Sequence, residues 1–330
     1  MNRTASSTIR VADLRKGDKV ADAIFLVETA NFKQTRNQKY FIQMSLRDSS
    51  GIIKAIRWEA TSKLYESFGV DDFLQVNGRV EEFQGQLQLI VDGFERVESN
   101  DVDFTKFLPA SEFDLDELEK ELDQAVAEVH DPQIRELLRR IVESPEIRAG
   151  LRRCPAGKAL HHAYLGGLLE HICSLLRASR SIAELYTELN RDLLYAGAIL
   201  HDIGKVRELS YTSNFRYTDS GQLLGHIGLG LVLVNDMARE VPHFPKDKLL
   251  QIQHIVASHH GIPEYGALKL PMTAEAIAFH YLDNLDAKMA TVRAVEKELP
   301  RDEDRGGNLS KWSDFKPHLN RKLYFPGKED

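Results

Sequence analysis

The run Ala198-Ile199-Leu200-His201-Asp202-Ile203-Gly204-Lys205 constrains this chain more than any other stretch. An apolar, helix-forming segment ends in two adjacent side chains of the metal-ligating kind, followed by a glycine and a lysine. Burying a histidine beside an aspartate is costly unless something pairs them, and a divalent cation does so well. A lone His-Asp dipeptide is ordinarily just two polar neighbours. Here it sits among His161-His162, His171, His226, His254, His259-His260 and Asp283, and nine of the chain's twelve histidines fall between positions 161 and 260. Two ligands adjacent at a helix end reach one centre only if other helices supply the rest.

Length allows such a bundle and a second domain besides. The 330 residues are 42% hydrophobic and 28% charged, the balance of a soluble globular protein. No apolar run approaches the ~20 residues that span a bilayer, and residues 1–10 lack the apolar core of a signal peptide. The two cysteines, Cys154 and Cys173, give neither a disulfide framework nor a paired-cysteine zinc motif. A reducing cytoplasm is the expected home, with both thiols serving as packing groups. The net charge of −7 is concentrated: residues 1–98 carry 14 Lys/Arg against 14 Asp/Glu, residues 99–130 carry 2 against 10, and residues 131–330 carry 27 against 26. A nucleic-acid partner therefore stays open, because local patches govern phosphate contacts.

Three segments follow from the patterning. In residues 1–98, Lys19–Ala30, Lys39–Asp48, Gly51–Trp58, Phe73–Phe83 and Gln86–Val97 are apolar, β-branched or alternating, and turn residues separate them. A short helix over Ala60–Phe68 falls between the third and fourth. Five strands with a helix after the third is the order of an OB-fold barrel, with another small β-barrel as the alternative. Residues 99–130 form an acidic linker and an amphipathic helix, about Asp114–Val129. Its charged face is expected to be solvated, and its Leu/Val stripe must pack on something, including a second subunit of a homo-oligomer. Residues 131–330 read as an all-α bundle: Asp131–Glu143, Pro145–Arg152, Leu160–Glu188, Arg191–Leu200, Leu224–Val241, Lys246–Ser258 and Thr273–Glu298. Leu209–Tyr217 reads as a short hairpin.

The candidate ligands lie on separate helices of that bundle. His171 follows the small residues Gly166-Gly167, His226 lies early in a helix, His259-His260 ends the next, and Asp283 sits in the apolar register of a later one. Each lone histidine is equally at home as a structural residue; jointly, so many imidazoles and carboxylates on apolar helices call for metal. The set resembles the HD-domain metallophosphohydrolases. His171, then His201-Asp202, then Asp283 match that superfamily's H…HD…D signature. His226 and His259-His260 match the extra histidines of its two-metal members, and Lys205 matches a lysine that faces substrate phosphate. Asp286 is the competing residue at the Asp283 position. The phrases His161-His162-Ala163-Tyr164-Leu165-Gly166-Gly167-Leu168-Leu169-Glu170-His171, Ser258-His259-His260-Gly261 and Leu282-Asp283-Asn284-Leu285-Asp286-Ala287-Lys288 are similar to those of YhaM-type 3′-to-5′ exoribonucleases, which place an OB-fold ahead of the HD domain. The resemblance covers essentially the whole chain and implies metal-dependent exonucleolysis of RNA or single-stranded DNA.

The chemistry also follows from the residues. Phosphodiester hydrolysis needs a nucleophile near neutral pH and charge neutralisation on phosphorus oxygens, which one or two divalent ions supply. Imidazole and carboxylate ligands without thiolates suit Mn²⁺ first, with Fe²⁺, Mg²⁺, Co²⁺ or Zn²⁺ as alternatives. Asp202 is then both ligand and catalytic group. His161 and His162 are candidates to bind phosphate or protonate a leaving group, or simply to pack. Lys205 at a helix end is also what the helix dipole favours. Glu170 is the candidate hydrogen-bond acceptor behind a ligating histidine.

In the barrel, Asn31–Tyr40 combines Phe32, Lys33, Arg36, Lys39 and Tyr40 in the expected loop between strands one and two. Arg57-Trp58 ends the third strand, and Phe83 closes the fourth. Interleaved aromatics and cations suit a single-stranded nucleic acid without sequence preference. Phe32 is expected to stack on bases, whereas Trp58 is the aromatic expected to prove structural; core packing is the alternative for Tyr40 as well. The competing enzyme is an HD-type nucleotide or cyclic-nucleotide phosphohydrolase with a regulatory OB domain. A non-catalytic nucleic-acid-binding protein is a third reading, disfavoured by the intact ligand set.

Overall fold

A computed structural model of the chain describes residues 9–35, 37–98, 102, 107, 113–157, 164–210, 216–297, 299, 301, 302, 308, 309 and 311–326. Two compact units emerge: Met1–Ala110 with Ser210–Arg216, and Ser111–Leu209 with Tyr217–Asp330.

The first unit is a closed five-stranded barrel of β1 (Lys19–Gln34), β2 (Tyr40–Asp48), β3 (Gly51–Trp58), β4 (Phe73–Phe83) and β5 (Gln86–Val97), in the order β1-β2-β3-β5-β4. β3 and β5 run parallel, and the other pairings are antiparallel. The helix between β3 and β4 is only one turn, α1 (Ser62–Tyr65), because Thr61 caps it and the chain turns away at Glu66. Alternation along β2 sends Ile42, Met44 and Leu46 inward, where they pack with Phe25, Leu74, Val76 and Leu89. β1 bends around the barrel. Its first half pairs with β4 and its second with β2, with register shifts at Val20/Ala23 and Val27/Thr29. It runs on to Gln34 rather than ending at Ala30. Phe32 and Lys33 are therefore strand residues, because their backbone still finds partners in Ile42 and Phe41.

In the second unit, α2 (Leu115–Ala127), α3 (Pro132–Glu143), α4 (Pro145–Leu151) and α5 (Gly167–Leu185) precede α6 (Arg191–Leu200) and α7 (Lys205–Glu208). α8 (Asp219–Glu240), α9 (Lys246–Ser258) and α10 (Ala274–Lys297) follow. The expected hairpin is a two-residue ladder, Leu209–Ser210 with Arg216–Tyr217. The fifth helix starts at Gly167 rather than residue 160, with Gly166 in the left-handed region before it.

α6 is the hub. Asn190 caps its start through the amides of Asp192 and Leu193, and every residue from Asp192 to Leu200 is buried. A helix apolar all round belongs at the centre of a bundle, and α3, α5, α9 and α10 pack about it. The acidic helix α2 buries Leu118, Leu122 and Val126, and the Cys173 thiol of α5 meets the Leu118 carbonyl. That stripe faces the bundle and is not available to a second subunit. Nor is its acidic face merely solvated: Arg148, Arg152, Arg177 and Arg180 pair with Asp123, Asp116 and Glu119, Glu121, and Glu128. No helix among the described residues is long and apolar enough to cross a membrane.

Candidate metal centre and nucleic-acid face

The centre is assembled where α6 ends. Its last turn delivers His201 and Asp202 into a tight turn before α7. Gly204 in that turn lets α8 come close: a Cβ there would lie 1.9 Å from the His226 carbonyl oxygen. Gly225, with φ of 65°, kinks α8 and sets His226 at the start of the segment that continues toward Glu240. α5 contributes His171, the end of α9 contributes His259 and His260, and α10 contributes Asp283.

These residues form two groups of converging ligand atoms. Asp202, His226, His259 and His260 make one; His171, His201 and Asp283 make the other. Asp202 joins them. Its Oδ1 lies 3.3 Å from His226 Nε2 and 3.6 Å from His259 Nε2, while its Oδ2 lies 3.3 Å from His201 Nε2. In the second group His171 Nε2 is 3.1 Å from Asp283 Oδ1 and 3.2 Å from His201 Nε2.

The outer ring nitrogens are tied off. His171 Nδ1 donates to Asp286 Oδ2 at 2.7 Å, and Asp286 is itself held by the Ser174 hydroxyl. His201 Nδ1 donates to the carbonyls of Gly197 and Ala198, and His259 Nδ1 to that of Val256. His226 Nδ1 faces Glu208 Oε1 at 3.3 Å, and the same oxygen takes the His226 backbone amide at 2.9 Å. With Nδ1 engaged outward, Nε2 is left to face inward, so these four rings aim their second nitrogens at one another and at carboxylates. Asp202 Oδ1, His226 Nε2, His259 Nε2 and His260 Nδ1 are all buried without a hydrogen-bond partner. Buried polar atoms are rarely left so. Orphaned polar atoms converging from four side chains fit a divalent cation.

The local electrostatics agree. Burial works against a proton on His171, but the carboxylates of Asp283 and Asp286 override it and raise its pKa to about 9. A cation bound by Asp283 and the His171 ring would take over from that proton. Burial also works against the charge on Asp202, yet Lys205 and His201 hold its carboxyl well below the usual range. Burial, with His259 alongside, pushes His260 down to about 3, which keeps that ring neutral.

Several expectations change. Between the competing aspartates, Asp283 meets the ligating nitrogens and Asp286 supports His171 from behind. Glu170 bonds Tyr164, and Asp286 and Glu208 meet the His171 and His226 rings. Lys205 lines a cavity at the site, and its ammonium donates to Asp202 Oδ2 at 2.6 Å and to the Ala156 carbonyl, so it also holds the Asp202 carboxylate in place. His254 accepts the Met272 amide and stands outside both groups. His161, His162 and Arg36 lie outside the described residues.

On the barrel, the strand register sorts the aromatic-basic cluster into two faces. Directly paired residues share a face. Lys33 pairs with Phe41, and Phe41 with Trp58, so these three form one row across β1, β2 and β3. They stand opposite the core residue Ile42. Trp58 is 44% exposed and tilts against Phe41 with ring centres 5.1 Å apart. Lys33 is exposed and bonds Gln43, its neighbour on that face. Phe32, by contrast, pairs with Ile42 and packs on the barrel core, stacked with both Tyr40 and Tyr65. Arg57 shares this inner register and donates to the Val91 carbonyl. The expected order is thus reversed: Trp58 is the surface aromatic and Phe32 the packed one. Phe41 was missed, although the period of two that buries Ile42 already turns Phe41 outward.

Comparison with known proteins bears on both units. The OB-fold nucleic acid binding domain family matches residues 26–97, and the HD domain family, whose members are metal-dependent, matches residues 168–288. A protein named 3′-5′ exoribonuclease YhaM from Oceanobacillus iheyensis is 36% identical over 281 residues, covering 84% of this chain and 88% of that one. The protein of the same name from Bacillus subtilis is 35% identical over 303 residues, covering 91% and 96%. Identity at that level across the barrel, the linking segment and the whole HD domain places the chain in the YhaM 3′-5′ exoribonuclease family.

Proposed function

We propose that the chain is a metal-dependent exonuclease that removes nucleotides from the 3′ end of single-stranded RNA. The observation that carries this is the pair of adjacent ligand groups, one holding Asp202 and the other holding His201 3.3 Å from it, in a chain of the YhaM family. His226, His259 and His260 would hold one ion and His171, His201 and Asp283 the other. A divalent ion there supplies a lowered water pKa and charge neutralisation at a phosphodiester. Mn²⁺ suits the mixed imidazole-carboxylate set best, ahead of Fe²⁺, Mg²⁺, Co²⁺ and Zn²⁺.

The protein's own groups do the rest. Asp286, Glu208 and the carbonyls of Gly197, Ala198 and Val256 fix which ring nitrogen faces inward. Lys205 keeps the Asp202 carboxylate ionised and oriented. The Lys33–Phe41–Trp58 row offers stacking and charge to a strand of any sequence. Such a row is of no use to a mononucleotide enzyme, which favours the exonuclease over the nucleotide phosphohydrolase. Cys154 and Cys173 are buried, with their thiols turned to the Pro155 and Leu118 carbonyls, as suits a reducing cytoplasmic setting.

The test is hydrolysis of 5′-labelled single-stranded RNA by Mn²⁺-loaded protein, with single-stranded DNA in parallel. A ladder shortening from the 3′ end, abolished by chelator, is expected. Internal fragments from the first time point, or degradation that survives chelation, would overturn the reading.

A further inference from the structure

Resting on the exonuclease reading, the geometry points to the C-terminal segment 311–326 as the wall that grips the end of the RNA strand, with Arg321 and Lys288 as its phosphate contacts. The metal centre opens into a cavity of about 750 Å³, within the ~300–1,000 Å³ usual for ligand pockets. Asp202, His259, His260 and Asp283 lie on its floor. α10 supplies one side. Asn284 and Lys288, four residues apart on the helix, line the cavity beside Asp283 and Ala287. Another part of the lining is not part of the helical bundle. It consists of Leu319, Asn320, Arg321 and Leu323.

That segment is built to hold its shape. Trp312 bridges to Tyr324 with ring centres 4.9 Å apart, and Lys316 bridges to Arg321. Backbone bonds run from Ser313 to Leu323 and from Phe325 to Lys311, and the buried Ser313 hydroxyl takes the Leu323 amide. A single turn at Pro317–Leu319 ends with Asn320 in the left-handed region, φ 52°. An asparagine tolerates that conformation. This turn brings Asn320 and Arg321 to the cavity.

Charge then argues for the occupant. Arg321 Nε donates to the Leu319 carbonyl at 2.9 Å, which steadies the guanidinium, yet Arg321 makes no ion pair among the described residues. Lys288 has none either. Arginines along α2 are matched to carboxylates, while Arg135 and Arg191 donate to backbone carbonyls. Two cations lining one cavity with Asp202, His259, His260 and Asp283 fit a polyanion whose scissile phosphate lies at those four groups and whose next phosphate meets Arg321 and Lys288. Tyr265, 71% exposed at the same rim, offers a face for the base. A wall standing across the site favours a strand that enters by its end.

The experiment measures KM and kcat of the Mn²⁺-loaded full chain on 5′-labelled single-stranded oligoribonucleotide. Arg321→Ala and Lys288→Ala should each raise KM roughly tenfold, the loss of one charge-assisted hydrogen bond, with kcat little changed. Each should also flatten the dependence of KM on salt, and Arg321→Lys should recover part of the loss. Arg239→Ala, a surface cation on α8 away from the cavity, should change nothing. Melting temperatures are taken on all four. Wild-type KM in both alanine variants overturns the inference. So does equal damage by Arg321→Ala and Arg321→Lys with lowered melting, which would make the segment merely structural. Failure of the wild-type protein to degrade RNA would instead count against the exonuclease reading itself.

Discussion

In the barrel, Asp48 is buried and fully satisfied, taking the amides of Val11, Ser50 and Gly51. In the helical unit, His171, His201, Asp202 and His259 are buried, and Asp202 Oδ1 and His259 Nε2 have no hydrogen-bond partner. The same burial serves opposite ends. A polar group whose every partner is present stabilises a fold, and Asp48 pins the turn between β2 and β3. Polar groups that converge without partners weaken a fold unless something else occupies their focus. The converging polar groups of the helical unit lie in its core, whereas the barrel carries its Lys33–Phe41–Trp58 row on its outer face.

The hardest way to break this comparison is to remove the focus. His201→Ala or Asp202→Ala should abolish hydrolysis of RNA and strip the protein of bound metal, measured by elemental analysis. Cooperative melting should survive, since the bundle's apolar core is far larger than the site. Full activity in either variant would mean that the converging acceptors are structural after all.

A smaller effect sharpens the same point one layer out. Asp286→Asn and Glu208→Gln keep the shape of the groups behind His171 and His226 but weaken their hold on the ring proton. Metal affinity should fall about 10- to 100-fold, with activity returning at saturating Mn²⁺. Loss of activity that no metal concentration restores would assign these carboxylates a direct part in the reaction.

How much of this was legible differs between the units for the same physical reason. The ligand set could be read from composition, because imidazoles and carboxylates on apolar helices are anomalies that only a shared focus explains. The groups behind them could not. Asp286 and Glu208 lie 115 and 18 residues from the histidines they hold, and nothing local marks Glu208 out from Glu170. Lys205 was legible as important, yet its partner Asp202 Oδ2 is fixed by the turn after α6, which the sequence does not disclose. In the barrel, residue types were legible and their faces were not, because a strand that runs four residues further turns a loop into a ladder. Once β1 extends to Gln34, the period of two decides that Phe32 goes in and Lys33 goes out.

That sorting of faces supports the last and smallest prediction. Phe41→Ala and Trp58→Ala should each weaken binding of single-stranded RNA by about 1–3 kcal/mol, read by fluorescence anisotropy on chelator-treated protein so that no cleavage intervenes. Melting should hardly move, because both rings lie on the solvent side of β2 and β3. Phe32→Ala should do the reverse, lowering melting while leaving the affinity of the folded fraction nearly intact, since it removes a ring packed against Tyr40, Tyr65 and the barrel core. Lys33→Ala should reduce affinity less than either aromatic and flatten its salt dependence, as one phosphate contact fewer releases fewer counterions. If Phe32→Ala weakens binding without destabilising, while Trp58→Ala destabilises without weakening, the strand lies on the inner-register rim formed by Tyr40 and Arg57 and not on the outer row. The barrel would then resemble the helical unit in using residues from its core side, and the contrast between the two would fail at that point.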